Sequence, residues 1–127
     1  MFGKILMIAA LALIAWAVVA RASGELLGSI SLLDLGSAAE IGYWVKAEAR
    51  GCGVATRALR LVSRYALEQE KRPRVQLTAE PENVGSQRVA EKAGFRREGV
   101  LRAWMEFKGR RRDAVMYSLL PQDLADL

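Results

Sequence analysis

The 127-residue chain has no histidine and a single cysteine, Cys52. Ser-His-Asp and Cys-His nucleophile systems and histidine-ligated zinc are thereby excluded, as are an intrachain disulfide and a cysteine metal cluster. No metal is expected, and Cys52 has no base to activate it as a nucleophile. Internal repeats, low-complexity tracts and linker-like stretches are also missing, so the length implies one domain around one core. The glycine-rich turn of the chain fits neither G-x-G-x-x-G nor G-x-x-x-x-G-K-[ST], which removes the dinucleotide and Walker readings.

What is present is ordinary for a globular protein: 52% apolar residues, 26% charged and a net charge of +5. The arginines are dispersed, and the one dense run, Lys108 to Arg112, suits the solvated tip of a hairpin. No nucleic-acid partner is expected; the positive excess suits a small polyanionic ligand instead. Nothing in the pattern fixes an oligomeric state.

Ile5 to Ala20 is an unbroken apolar run of sixteen residues behind Lys4, and Ala20-Arg21-Ala22 has the form of a signal-peptidase site. The run is short for a membrane span, which takes about 20 residues. Trp16-Ala17-Val18-Val19-Ala20, the turn Ser23-Gly24-Glu25 and Leu26 to Leu32 read as a hairpin, and cleavage after Ala22 would remove one of its strands. A cytoplasmic chain with no membrane attachment is expected, with export or anchoring through residues 5–20 as the alternative. Met1 to Ile14 could form one apolar helix against the sheet, which divides the chain into an apolar segment at 1–15 and a domain at 16–127.

Farther on, Ala39 to Val45 reads as a strand, followed by the loop Arg50-Gly51-Cys52-Gly53-Val54-Ala55. Ala55, Ala58, Leu59, Val62 and Ala66 then form the apolar stripe of an amphipathic helix. A loop that turns on two glycines into a helix is an anion site: the first helical amides lack intrahelical partners, the helix dipole is positive there, and Arg50 adds a charge. Val75 to Ala79 alternates as a strand, and Asn83 is a natural N-cap for a helix that Gly94 ends. Val100 to Phe107 and Ala114 to Leu120 flank the turn Lys108 to Asp113 as a closing hairpin, with Gln122 to Leu127 as a tail. The fold class is α/β, a mixed sheet with helices.

The spacing R-x-x-G-x-A in Arg50 to Ala55 is similar to the pyrophosphate loop of the GCN5-related N-acetyltransferases (GNAT). Asn83 to Gly99 resembles the N-x-x-S…E-K-x-G-F-x-x-E-G signature of the RimJ/RimL-like branch of that superfamily, and the first hairpin resembles the strand pair of the same branch. A complete member carries one more strand and two helices ahead of that hairpin, so the resemblance implies a GNAT-like fold lacking those elements and one wall of the acceptor cleft.

That resemblance implies an N-acetyltransferase: acetyl-CoA as cosubstrate, and a primary amine, either a protein N-terminus or a small molecule, attacking the thioester directly. Its diphosphate would lie over Arg50, Gly51, Cys52, Gly53, Val54, Ala55 and Thr56, and its pantetheine arm along Tyr43, Trp44 and Val45, which as a plain strand would have core aromatics instead. Glu40, in an A-E-I like that of histone-acetylating relatives, is the implied base, and otherwise a solvated glutamate. The tyrosine many members place four residues before the glycine of G-F is here Ala90, so Ser86 is the implied acid, with Asn83 beside the pantetheine and Tyr117 as a fallback acid or a core aromatic. The other reading is a non-catalytic acyl-CoA-binding remnant of such an enzyme.

Overall fold

Period-two runs and two amphipathic helices assemble, in the computed structural model, into a six-stranded sheet whose helices lie on one face; the structure describes residues 13–126. In chain order the elements are β1 (Leu13–Val19), β2 (Leu26–Asp34), β3 (Ala39–Val45), α1 (Val54–Arg64), β4 (Val75–Ala79), α2 (Val84–Lys92), β5 (Arg96–Phe107) and β6 (Arg110–Leu119). Across the sheet the order is β1-β2-β3-β4-β6-β5, antiparallel except for β3 with β4. The crossover that a parallel pair requires is supplied by α1, as expected of a β-α-β connection. The mixed α/β class read from the sequence is the one observed.

The helical stripe and the strand alternation meet in one core. Ile30, Leu32, Ile41, Leu77 and Val115 project from the sheet against Leu59, Val62 and Ala66 of the first helical segment, Ala90 of the second and Phe95 just after it. Each large side chain removed from water there contributes about 1.5–3 kcal/mol. Beyond Arg64 the helix widens into a π-helical turn, Tyr65–Gln69, and Tyr65 meets Trp16 of β1 edge-on at 5.6 Å. Asn83 caps α2 by accepting the Ser86 N–H at 3.0 Å, and Gly94, at φ 94°, ends it and turns Phe95 back into the core.

Four boundaries differ from the expectation. The first hairpin forms, but β1 starts at Leu13, so Leu13 and Ile14 are strand and not part of a covering helix; the rest of that expected helix, Met1 to Ala12, lies outside the described residues. The division at residue 15 therefore falls inside β1. The basic turn contracts to Lys108-Gly109, at φ 52° and 75°, while Arg110, Arg111 and Arg112 pair with Phe107, Glu106 and Met105. Two consecutive positive φ values match the twist of a two-residue hairpin, so the strands zip closer to the tip than charge alone suggests. Finally, β5 begins at Arg96 rather than Val100 and continues through two irregularities, and residues after Leu120 form a 3-10 turn, Pro121–Asp126, instead of a plain tail.

One feature of the sheet places the site. β3 and β4 pair only at Ala39 with Val75 and Glu40 with Gln76, after which the strands diverge and β3 continues along β2 alone. A wedge therefore opens in the middle of the sheet, bordered by β3 groups that have no ladder partner on the β4 side. Gly28 fixes the end of β3 at the open side: a Cβ there would stand 2.2 Å from the Trp44 carbonyl oxygen.

Candidate functional site

At the open end of the wedge the chain leaves β3 through a 3-10 turn, Ala47–Ala49, and enters the glycine loop. Gly51 and Gly53 sit at φ 81° and 80°, and a Cβ at either would meet nothing within 4 Å. Their requirement is left-handed backbone, not space. Gly53 is the N-cap of α1; the first helical bond runs from the Arg57 N–H to the Gly53 carbonyl at 3.0 Å, so the amides of Val54, Ala55 and Thr56 have no intrahelical acceptor. Such a terminus suits an anion. Arg50 folds back, its Nε donating to the Val45 carbonyl at 3.0 Å, and the Cys52 thiol donates to the Ala49 carbonyl at 2.9 Å.

A cleft of about 480 Å³ runs from this loop to the start of α2. Tyr43, Trp44 and Val45 line it from β3, Arg50, Gly51 and Ala55 from the loop, and Asn83 and Ser86 from α2. Cys52, Gly53, Val54 and Thr56 do not line it; Val54 faces a separate apolar groove between α1 and the first hairpin. Ala49, Gly85 and Val89 also line the cleft and were not among the sequence candidates. Gly85 lies between Asn83 and Ser86, so the spacing of that motif was the available signal, whereas nothing local marks Ala49.

The Tyr43 and Ser86 hydroxyls meet at 3.0 Å in the cleft. Burial pushes the Tyr43 phenol above its ordinary value, opposed by its hydrogen bond to Ser86, so it stays a neutral donor at neutral pH. Asn83 spends its carbonyl oxygen on the helix cap. Tyr117 is fully buried in the core, its hydroxyl without a partner among the described residues, and it does not line the cleft. Burial first, and then the Glu91 carboxylate, push its phenol up, with Arg97 opposing. The structure thus places the fallback acid in the core.

Glu40 lies outside the cleft, on the last rung before the strands separate. Its neighbours Ala39 and Ile41 are buried toward the helices, so Glu40 projects from the helix-free face and accepts the Gln76 amide at 3.0 Å. Glu40 and Ser86 therefore stand on opposite faces of the sheet, on either side of the wedge.

The family model described as an acetyltransferase (GNAT) domain matches residues 5–96. Among curated proteins, the chain is 40% identical over 103 residues to "Putative ribosomal N-acetyltransferase YdaF" of Bacillus subtilis, covering 79% of this chain and 56% of that protein. It is 37% identical over 103 residues to "Probable N-acetyltransferase YjcK" of the same organism, covering 78% of this chain and 57% of that protein. The chain thus spans just over half the length of these relatives. Among solved structures, Mycobacterium smegmatis RimJ in complex with CoA-disulfide superposes with a TM-score of 0.82 at 26% identity, covering 97% of this chain and 62% of that one.

Proposed function

Because the chain belongs to the GNAT acetyltransferase family, we propose that it is an N-acetyltransferase that moves an acetyl group from acetyl-CoA to a primary amine in the cytoplasm. The observation that carries the reading is the wedge between β3 and β4, whose cleft reaches Arg50, Gly51 and Ala55 at the start of α1, where the helical amides lack intrahelical partners. The residues present suit the cosubstrate: the amides at the start of α1, where Ala55 lines the cleft, would hold the diphosphate, and the unpaired backbone of β3 along Tyr43 to Val45 would bond the pantetheine arm as an added strand does. When bound, acetyl-CoA supplies an activated acyl carbon.

The chain's own part is positioning and proton transfer. Holding the amine against the acyl carbon replaces a bimolecular encounter, which can be worth several kcal/mol, about 7 or more where the geometry is ideal. Glu40 takes the proton that the amine loses as its C–N bond forms. On the other face, Ser86 gives its proton to the sulfur as the C–S bond breaks, and Tyr43, at 3.0 Å, passes its own to Ser86 and is reprotonated by solvent. Backbone amides of β3 near Val45 stabilise charge developing on the acyl oxygen. The acceptor is a peptide N-terminus or a small amine; the ribosomal acetyltransferase name of the 40% identical relative favours the peptide.

The test is acetyl transfer to short peptides with free N-termini and to polyamines, with acetyl-CoA binding followed in parallel by calorimetry. Turnover with at least one amine is expected, together with a loss of affinity in Gly53→Val, whose residue 53 cannot comfortably hold φ 80°. Tight binding without transfer to any amine would favour a non-catalytic acyl-CoA-binding chain.

A further inference from the structure

On the helix-free face, a chain of side-chain hydrogen bonds crosses the sheet and ends on Glu40. Ser118 of β6 donates to Oε2 of Glu98 at 2.7 Å. Both oxygens of Glu98 receive the guanidinium of Arg74, at 2.8 and 2.6 Å. The third face of that guanidinium, Nε, donates to Oε1 of Gln76 at 2.9 Å, and Nε2 of Gln76 donates to Oε1 of Glu40 at 3.0 Å. Gln76 is the cross-strand neighbour of both Glu40 and Ser118, so the row follows the ladder and needs no distortion.

A glutamine amide can present either its oxygen or its nitrogen to a neighbour. Here Arg74 offers only donors, and its planar fork is held at two points by Glu98, so the Gln76 oxygen must face Arg74 and its NH₂ must face Glu40. The Arg74 and Glu98 charges offset each other, so what reaches Glu40 is the positive end of a neutral dipole. Only Oε1 of Glu40 is engaged; Oε2 has no hydrogen bond among the described residues. A carboxyl that takes a proton on Oε2 keeps Oε1 as an acceptor, so the Gln76 bond survives proton transfer in both directions.

We infer that Gln76, oriented by the Arg74 and Glu98 pair, is a positioning residue that fixes the Glu40 carboxylate on the last rung before the wedge, with one oxygen held and the other free. The inference rests on the proposed role of Glu40 as base and adds the device that sets its direction. It is tested by steady-state acetyl transfer from acetyl-CoA to N-terminal peptides and polyamines, comparing Gln76→Met, Glu40→Gln and the double variant, with acetyl-CoA affinity measured by calorimetry.

Gln76→Met is expected to lower kcat about 10-fold, less than the 100-fold or more that loss of a general base can cost, with acetyl-CoA affinity unchanged. In the Glu40→Gln background the same substitution should have no further effect, because its route of action is gone. Arg74→Lys, which keeps the charge but loses the fork, should act in the same direction and serves if Gln76→Met fails to fold. A full 10-fold loss persisting in the double variant, or unchanged kcat in Gln76→Met and Arg74→Lys beside an impaired Glu40→Gln, would overturn the inference while leaving the base intact. A fully active Glu40→Gln would overturn the base and the inference together, and a wild-type chain that binds acetyl-CoA but transfers to no amine would overturn the reading beneath both.

Discussion

Ser86 has two bonding duties that pull in different directions: its backbone N–H is tied to the Asn83 cap, and its hydroxyl to Tyr43. Removing the hydroxyl leaves the cap intact, so Ser86→Ala should lower kcat more than it raises KM for acetyl-CoA. Asn83→Ala removes the cap and should cost about 1 kcal/mol of stability, read as a lower denaturation midpoint, along with weaker acetyl-CoA binding. Equal and small effects at both positions would confine the pair to helix structure.

Glu98 gives a separate pH signature. Bonded first by Arg74 and then by Ser118, its carboxyl falls from the ordinary 4.5 to about 2. A depressed carboxylate contributes stability that is present above pH about 4.5 and is lost as pH falls toward about 2. Because the pair is partly exposed, the loss is within the range of about 0–1 kcal/mol typical of surface ion pairs. Glu98→Gln should therefore flatten the acid limb of the stability curve, as followed by thermal melts between pH 5 and 2.5, while a curve identical to the parent's would contradict the pairing. The glycines and the cap were legible in the sequence because each has a local rule, and Ser86 came from the family resemblance. The row that joins Glu98, Arg74, Gln76 and Glu40 was not legible, because β5, the β4 segment and β3 are far apart in the chain and only the folded sheet brings them together.

The first hairpin was legible from alternation and its Ser23-Gly24-Glu25 turn, but its start was hidden inside a continuous apolar run, where strand and helix look alike. β1 pairs with β2 along seven residues, Leu13 to Val19. Deleting Met1 to Ala22 therefore strips a whole strand and exposes the β2 edge, and the truncated chain should aggregate. A signal peptide removed after Ala22 predicts the opposite: a mature protein that starts at Ser23 and folds well. Solubility of this truncation, with N-terminal sequencing of the protein recovered from cells, separates the two. The closing hairpin is tighter than its run of basic residues suggests: Lys108 and Gly109 alone make the reversal, and the arginines extend along β6. Composition marks solvent exposure there, not the end of the ladder.

The six strands form one continuous sheet, yet its centre is held by only two parallel rungs, and that weakness is where the reading places the chemistry. No periodicity announces the divergence of β3 from β4, since both strands alternate normally on either side of it. Among the described residues no helix is long and apolar enough to cross a membrane. The apolar groove of about 590 Å³ between α1 and the first hairpin is larger than the cleft, but it carries little polar chemistry and lies away from Ser86.

The proposed activity requires the diphosphate over the start of α1 and the pantetheine in the wedge. A titration of the ¹⁵N-labelled protein with acetyl-CoA, following backbone amide resonances, tests both placements at once. The account predicts saturable shifts concentrated at Val54, Ala55 and Thr56 and along Gly42 to Val45, with Ser86 responding and Tyr117 silent. Shifts confined to the groove residues Trp16, Leu61 and Tyr65, or no shifts at saturating acetyl-CoA, would contradict it.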